Sequence, residues 1–250
     1  MINMKKIKIR IKIKDVIYLS LVAICVAAII VLSIMLGKAN QRKREWEMGE
    51  FYNDRLMTFA YENMHFSKGQ IVFIGDSITN LYCLDDYFAN LDLATYNRGI
   101  GGDTTEGVLN RLQTSIFDIA PSKIVLMIGT NDVSWAVPRE EIVANYRKIL
   151  DEIKKNQPTV EICAVSVIPQ SDVLEEGAGF DVDGNNETIR WLNAEIQKLC
   201  GEFGCVYIDL YPSLLDADGY LDDKFTDDGL HLNAAGYEIW SNMVKPYLQK

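Results

Sequence analysis

The chain has 250 residues, of which 48% are hydrophobic, enough for one sizeable core in one or two domains. Its formal net charge is −10, but residues 1–44 carry ten Lys or Arg and one acidic residue, whereas the other 206 residues carry 15 bases and 34 acids. Such an acidic body repels the phosphate backbone of DNA and RNA, which argues against a nucleic-acid partner.

The N-terminal part of the chain predicts a membrane anchor. Residues 1–15 form a basic leader, and residues 16–36 contain no charged side chain over 21 positions. At about 1.5 Å per helical residue, such a helix spans the roughly 30 Å hydrocarbon layer of a bilayer. A secretory signal peptide is the alternative, but its apolar region usually has about 7–15 residues. We therefore expect an uncleaved, single-pass transmembrane helix.

The basic residues around this segment predict its orientation. Six Lys or Arg precede residues 16–36 and four follow them, a modest excess that favours a cytoplasmic leader. The acidic body then lies outside the cell. The five cysteines neither support nor exclude this location, and only Cys200 and Cys205 are close enough in sequence to suggest a disulfide bridge.

Two further segments follow the predicted anchor. Residues 37–66 predict a juxtamembrane stalk helix that packs one face on the body, since apolar and aromatic residues recur among charged ones at helical spacing. Residues 67–250 alternate between apolar runs and helical patterns, which is typical of an α/β domain with a parallel sheet covered on both sides. The predicted strands are 70–75, 94–97, 123–129, 160–168 and 205–210, and the predicted helices are 104–117, 138–155, 187–203 and 233–248. Residues 170–186 show neither pattern.

Small and polar residues follow three of the predicted strands. Ser77 comes just after the first strand, Gly102 follows the second, and Asn131 follows the third. Open parallel sheets bind ligands at the carboxyl ends of their strands, so we expect these loops to meet at one edge of the sheet. Three neighbouring residues are weaker candidates for lining a bound substrate: Asp76, Asp132 and Trp135.

One of the two histidines completes a set of residues for nucleophilic catalysis. His231 follows Asp228 by three residues, so in a turn the carboxylate can reach the imidazole nitrogen that faces away from a serine. A serine hydroxyl such as that of Ser77 becomes a strong nucleophile when a base takes its proton and a third group orients the base. Acyl transfer also needs donors for the developing oxyanion, which backbone N–H groups near Gly102 and the amide of Asn131 can supply.

Four motifs, in this order, resemble the sequence blocks of the SGNH (GDSL-type) hydrolases. They are GDSI with Ser77, GGDTT with Gly102, GTND with Asn131, and DGLH with Asp228 and His231. The resemblance covers roughly residues 70–248 and implies a flavodoxin-like, three-layer αβα fold. It also implies a serine esterase without metal or cofactor, whose oxyanion hole is formed by the N–H groups of Ser77 and Gly102 and the amide of Asn131.

The expected function is that of a membrane-anchored esterase that removes acetyl or other short acyl groups from carbohydrate or other small esters. The strand-end loops are rich in Asp, Asn, Gly and Thr, which offer little apolar surface to a long acyl chain. Trp135 can stack on a sugar ring or pack under the following helix. Within the enzyme class, a lysophospholipase or thioesterase is the alternative. A non-catalytic glycan-binding module is the alternative outside that class, since a fold alone does not determine activity.

Overall fold

The structure is a computed structural model that describes residue 30 and residues 32–38, 49–174 and 181–249. It divides into two compact units, Met1–Phe51 and Tyr52–Lys250. The second unit contains every strand of the described residues and all the candidate site residues.

The predicted membrane anchor falls largely on residues that the structure does not describe. Of the predicted span at 16–36, only residues 30 and 32–36 are described, and the leader at 1–15 lies wholly outside the described residues. Among the helices that are described, none is long and apolar enough to cross a membrane. The anchor and its orientation stay predictions.

A five-stranded parallel sheet forms the centre of the second unit. Its strands are β1 (Ile71–Gly75), β2 (Thr95–Gly99), β3 (Lys123–Met127), β4 (Glu161–Val165) and β5 (Val206–Ile208). They lie in the order β2-β1-β3-β4-β5, and every neighbouring pair is parallel. This is the flavodoxin-like order, in which the connections change direction between β1 and β3 and ligands bind beside that point.

Helices cover both faces of the sheet. They are α1 (of which residues 52–63 lie in this unit), α2 (Ser77–Asn80), α3 (Leu84–Phe88), α4 (Thr105–Asn110), α5 (Thr130–Ser134), α6 (Arg139–Asn156), α7 (Val182–Phe203) and α8 (Ala234–Leu248). The helix predicted at 104–117 is in fact α4 followed by a π-helical turn at Gln113–Phe117. Sequence periodicity does not reveal α2, α3 and α5, because each is too short to complete two turns.

Alternate side chains of each strand point to opposite faces of the sheet and build two cores. On one face, Val72 and Ile74 of β1 pack with α4, α6 and α7. On the other face, Ile71 and Phe73 pack with α2, α3 and α8, where Trp240 is fully buried. Every residue of β1 and β3 is buried, as expected for strands covered on both sides. The predicted three-layer αβα fold is confirmed.

Helix α1 packs beside β2, at the edge of the sheet. Phe59 of α1 is fully buried, and the guanidinium of Arg98 in β2 lies 4.7 Å from the centre of its ring. Arg98 also forms an ion pair with Glu62 and donates a hydrogen bond of 2.9 Å to Asn63 Oδ1. The sequence predicts that residues 37–66 form a stalk helix with one face packed on the body, and the helix packs in this way from residue 52 onwards. The boundary predicted between stalk and hydrolase domain stays a prediction.

The two cysteines that suggest a bridge are not linked. Cys200, near the end of α7, and Cys205, just before β5, are both free thiols. Burial, together with the neighbouring Cys205 and Cys163, raises the pKa of Cys200 to about 12. The Cys200 thiol is therefore protonated at neutral pH and poorly reactive.

Candidate active site

Ser77 lies at the carboxyl edge of the sheet because β1 turns sharply into α2. Asp76 is the N-cap of α2, and its Oδ1 accepts a hydrogen bond of 2.9 Å from the N–H of Ile78. Gly75 ends the strand, and a Cβ at this position would lie 2.1 Å from the carbonyl oxygen of Met127. Glycine therefore permits the close approach of β1 and β3, after which Ser77 begins the helix.

The three residues predicted for nucleophilic chemistry form a continuous chain of hydrogen bonds. Ser77 Oγ lies 2.8 Å from His231 Nε2, and His231 Nδ1 lies 2.6 Å from Asp228 Oδ2. The other carboxylate oxygen, Asp228 Oδ1, accepts from the N–H groups of Leu230 at 2.9 Å and His231 at 2.8 Å. One turn thus orients both the carboxylate and the imidazole, as the spacing of Asp228 and His231 predicts.

The surroundings of Asp228 favour its charged form. Partial burial raises its pKa, but hydrogen bonds from the His231 ring and from the N–H groups of His231 and Leu230 outweigh burial and lower the pKa to about 2. The ionised carboxylate favours a proton on Nδ1 of His231, which leaves Nε2 free to accept the Ser77 proton. The side chains of His231 and Asp228 are 27% and 54% exposed, so this side of the site is open to solvent.

Gly102 lies in a tight turn directly after β2. The N–H of Asp103 donates to the carbonyl of Ile100 at 3.2 Å, and Gly102 has a φ of +76°, which glycine adopts without strain. Among the described residues, the N–H groups of Ser77 and Gly102 have no hydrogen-bond acceptor. Both donors are therefore available to a ligand.

Asn131, the second residue of α5, lies beside the Gly102 turn. Its Nδ2 donates to the carbonyl of Asp103 at 2.8 Å. A side-chain amide carries two N–H groups, and this bond uses one of them. The N–H of Ile100 also donates to the carbonyl of Gly75 at 3.1 Å. The loops after β1, β2 and β3 therefore meet at one edge of the sheet, as predicted.

Two of the three weaker candidates do not line the site. The side chains of Asp76 and Asp132 point into the interior, and the two residues are 0% and 1% exposed. Asp132 accepts hydrogen bonds from the N–H of Thr105 at 3.0 Å and from its hydroxyl at 2.5 Å, so it holds the start of α4. The expectation that these two carboxylates line a substrate is wrong because both are buried. Trp135 is 53% exposed at the end of α5, and its role stays a prediction.

Arg111 is a residue of the site that none of the sequence motifs indicates, and it joins the loops of this edge. Its guanidinium is buried and donates from Nε to Asp103 at 2.7 Å, from Nη1 to the carbonyl of Arg98 at 2.7 Å, and from Nη2 to the carbonyl of Gly75 at 2.9 Å. Burial raises the pKa of Asp103, and the charge and hydrogen bond of Arg111 oppose that rise. One buried cation thus connects the ends of β1 and β2 with the Gly102 turn.

A signal for Arg111 exists in the sequence. It lies between Val108 and Leu112, on the face of the predicted helix where periodicity expects apolar side chains. Charged residues are almost never fully buried unless they are paired, so a lone arginine on such a face indicates an internal partner. Which partner it has depends on the tertiary structure.

The segment after β4 supports the turn that carries Asp228 and His231. The N–H of Ser171 donates to the carbonyl of Gly229 at 2.9 Å, and a Cβ at Gly229 would lie 3.0 Å from the side chain of Leu174. Residues 175–180, which continue the segment that lacks a pattern, lie outside the described residues. In the described part of the chain, no cluster of three or more His, Cys, Asp or Glu side chains is placed to hold a metal ion.

The sequence of this domain matches a known family. Residues 73–239 match the family model for the GDSL-like Lipase/Acylhydrolase family, which is more than half of the chain. The chain belongs to this family. The resemblance carried by the four motifs is thereby confirmed, and this GDSL-like acylhydrolase is an ester-hydrolysing enzyme.

Relatives of this acylhydrolase include named enzymes. It is 27% identical over 211 residues to the Homo sapiens platelet-activating factor acetylhydrolase IB subunit alpha1, which covers 81% of this chain and 87% of the relative. It is 28% identical over 170 residues to the Rattus norvegicus alpha2 subunit, with 67% and 70% of the two chains covered.

Solved structures also resemble the acylhydrolase. A protein from Streptococcus pneumonia named for platelet activating factor superposes with a TM-score of 0.77 and 30% identity, covering 85% of this chain and 99% of that protein. A mutant of an acetyl-xylooligosaccharide esterase from Geobacillus Stearmophilus superposes with a TM-score of 0.58 and 19% identity, over 73% and 94% of the two chains. The similarity to the acetyl-xylooligosaccharide esterase is one of fold alone.

Proposed function

We propose that this acylhydrolase removes acetyl or other short acyl groups from carbohydrate or other small esters, with Ser77 as the nucleophile. The observation that carries the proposal is the hydrogen-bonded chain from Ser77 through His231 to Asp228. His231 Nε2 takes the hydroxyl proton as Ser77 Oγ attacks the ester carbonyl, and Asp228 stabilises the imidazolium that forms.

The strand-end loops supply the other half of the proposed mechanism. The carbonyl oxygen becomes negatively charged in the tetrahedral intermediate, and it accepts hydrogen bonds from the N–H groups of Ser77 and Gly102 and from Asn131 Nδ2. His231 then gives its proton to the leaving alcohol oxygen, and an acyl group remains on Ser77. Water, deprotonated by His231, attacks this acyl-enzyme, releases the carboxylic acid and restores the Ser77 hydroxyl.

Two observations support a short acyl group. His231 and Asp228 are open to solvent, so a long acyl chain gains little burial beside them. The names of two similar proteins also favour a short acyl group, since the platelet-activating factor acetylhydrolase and the acetyl-xylooligosaccharide esterase are both named for acetyl groups. For the alcohol we propose a carbohydrate, because the exposed ring of Trp135 near Asn131 offers an aromatic face on which a sugar can stack.

We also propose that residues 16–36 anchor the enzyme in the cell membrane with its catalytic domain outside. The support is the uncharged segment and the excess of basic residues before it. The same anchor would place the site near lipid headgroups, which favours a lysophospholipid ester as the second candidate substrate. Protease added to intact cells should remove the domain, and complete protection until lysis would contradict this orientation.

The proposed nucleophile is tested by Ser77→Ala in the full chain. We expect hydrolysis of p-nitrophenyl acetate to fall by about 10⁴–10⁶-fold, because no other group replaces the hydroxyl. Ser213→Ala, which removes an exposed serine elsewhere, serves as the matched control and should keep full activity. An unchanged thermal melt together with full residual hydrolysis in Ser77→Ala would reject the assignment.

The proposed acyl group is tested with nitrophenyl esters from acetate to decanoate. We expect kcat/KM to fall along the series, since an open polar site gains nothing from added methylenes. An acyl-binding groove would instead gain up to about 0.8 kcal/mol per buried methylene. A steady rise with chain length would therefore favour the lipid ester.

A further inference from the structure

Helix α1 contacts the two elements that flank the loop carrying Gly102, namely β2 and α4. From α1, Tyr52 Oη donates to the carbonyl of Gly107 at 3.2 Å and Arg55 Nη2 donates to the carbonyl of Gly99 at 3.2 Å. Gly99 and Gly107 lie on either side of Gly102 in sequence. The helix itself precedes residues 73–239, which match the family, so this contact is an addition to the matched domain.

The bond from Arg55 holds one specific peptide group. The peptide between Gly99 and Ile100 accepts from Arg55 through its carbonyl, and its N–H donates to the carbonyl of Gly75 at 3.1 Å. The turn containing Gly102 starts at Ile100, immediately after this peptide. Both polar groups of this peptide are therefore engaged, which restrains the direction in which the turn leaves β2.

Arg55 is itself held in place. Its guanidinium lies 4.7 Å from the ring centre of Phe59, which is fully buried, and Arg55 is half-buried. The second contact on this end of the helix comes from Tyr52. Burial and the nearby Asp103 carboxylate raise the pKa of its phenol, which stays protonated and can donate. The end of α1 that faces the loop therefore presents two ordered donors.

We infer that Arg55 is a positioning residue that, from α1, orients the Gly102 N–H of the proposed oxyanion hole. The inference rests on the proposed function. Oxyanion donors act at about 2.7–3.1 Å from the developing charge, and a displacement of about 1 Å can reduce the rate about 10²-fold. Arg55 would thus affect the transition state without touching the substrate.

The test compares Arg55→Ala with Asn63→Ala in the full chain. Asn63 is the last residue of the same helix, where it donates to the carbonyl of Thr114 at 2.7 Å and accepts from the side chain of Arg98. Both variants weaken the docking of α1, but only Arg55→Ala releases the Gly99 carbonyl. We would measure kcat and KM with p-nitrophenyl acetate, and Ki for an alkyl boronic acid, which forms a tetrahedral anionic adduct with a serine hydroxyl.

For Arg55→Ala we expect kcat to fall about tenfold or more, Ki to rise by a similar factor, and KM to stay within about twofold. Asn63→Ala should lower the melting temperature and leave Ki and kcat unchanged. Because Ki and KM do not depend on how much enzyme is folded, a merely structural role for Arg55 would leave Ki unchanged. Arg55→Lys, which retains a donor, should recover part of the loss in both kcat and Ki.

The outcomes separate this inference from the proposed function. If the wild-type enzyme hydrolyses the ester but Ki is the same in Arg55→Ala, Asn63→Ala and wild type, the inference is wrong while the proposed function stands. If the wild-type enzyme neither hydrolyses esters nor binds the boronic acid, both the proposed function and the inference about Arg55 are rejected. Should Arg55→Ala not fold, Arg55→Met keeps an apolar stem against Phe59 and removes the donor to Gly99, and an unchanged Ki in that variant would likewise reject the inference.

Discussion

The two sides of the candidate site are built in different ways. On the nucleophile side, the buried side chains of Arg111 and Asp132 connect loops that are far apart in sequence. On the base side, Asp228 orients His231 within one turn at the surface. Oxyanion donors must keep their positions during the reaction, and buried, fully paired side chains provide that rigidity. A base needs only the correct tautomer and direction, which a local turn can supply.

The comparison implies that changes on the exposed side affect activity alone, whereas changes on the buried side affect activity and stability together. Asp228→Asn tests the exposed side and has the largest expected effect. Oδ1 would keep its bonds to the N–H groups of Leu230 and His231, so the amide NH₂ would face Nδ1 and place the ring proton on Nε2. We expect kcat to fall about 10⁴-fold, as when the orienting carboxylate of a serine hydrolase is replaced.

Thermal melts of Asp228→Asn at pH 7 check that this loss is confined to activity. The melting temperature should stay within about 2 °C of the wild-type value, which corresponds to less than about 1 kcal/mol for a domain of this size. A large drop in melting temperature would mean that the exposed turn also supports the fold, and the contrast between the two sides would then disappear.

Arg111→Met tests the buried side. It leaves the carboxylate of Asp103 buried without its cation, and breaking a buried ion pair in this way costs about 3–5 kcal/mol of unfolding free energy. Denaturant unfolding measures the loss. Arg147→Met is the matched control, since Arg147 pairs with Glu202 where both side chains are about half exposed, and we expect little change in the free energy of unfolding. Equal losses in the two variants would contradict the assigned role of Arg111.

Asn131→Ala tests a proposed donor on the buried side. Loss of one oxyanion donor typically lowers kcat by about 10²–10³-fold, and KM should change little because the neutral ester makes a weaker bond to the same group. Steady-state kinetics with a nitrophenyl ester separate the two constants. A raised KM with an unchanged kcat would instead assign Asn131 to substrate binding.

Asp76→Asn gives the smallest expected effect and concerns pH. Burial raises the pKa of Asp76 to about 7, against the bond from the Ile78 N–H, and its Oδ2 is buried with no partner among the described residues. A carboxyl group whose pKa is raised on folding is protonated in both the folded and the unfolded state below about pH 4, so it does not affect stability there. As pH rises from about 4 to about 7, it ionises more readily in the unfolded state and progressively destabilises the fold.

The asparagine side chain cannot ionise, so this pH dependence should weaken in Asp76→Asn. Between pH 5 and pH 8 the wild-type enzyme should lose at least about 2 °C more in melting temperature than the variant, since about 1 kcal/mol shifts the melting temperature by about 2–4 °C at this size. Parallel melting curves for the two proteins would show that Asp76 is already ionised in the folded state at pH 5.

The sequence by itself determined the class of fold and most of the candidate site. Apolar runs alternating with helical periods predict the parallel sheet and the long helices α6, α7 and α8, because these patterns reflect which face of an element is buried. The residues that follow the strands predict where Ser77, Gly102 and Asn131 meet, since parallel strands end at one edge. The pairing of Asp228 with His231 depends only on a turn of three residues.

The tertiary structure alone decided which polar groups are buried and what they hold. Asp132 and Thr105 are 27 residues apart, and Arg111 and Gly75 are 36 apart, so no local pattern identifies them as partners. For the same reason the sequence offers Asp76 and Asp132 as residues that line a substrate, and it does not identify the side chains of the body, such as Arg98, on which α1 packs. Periodicity reports which face of an element is buried, and only the packed chain reports which side chains meet there.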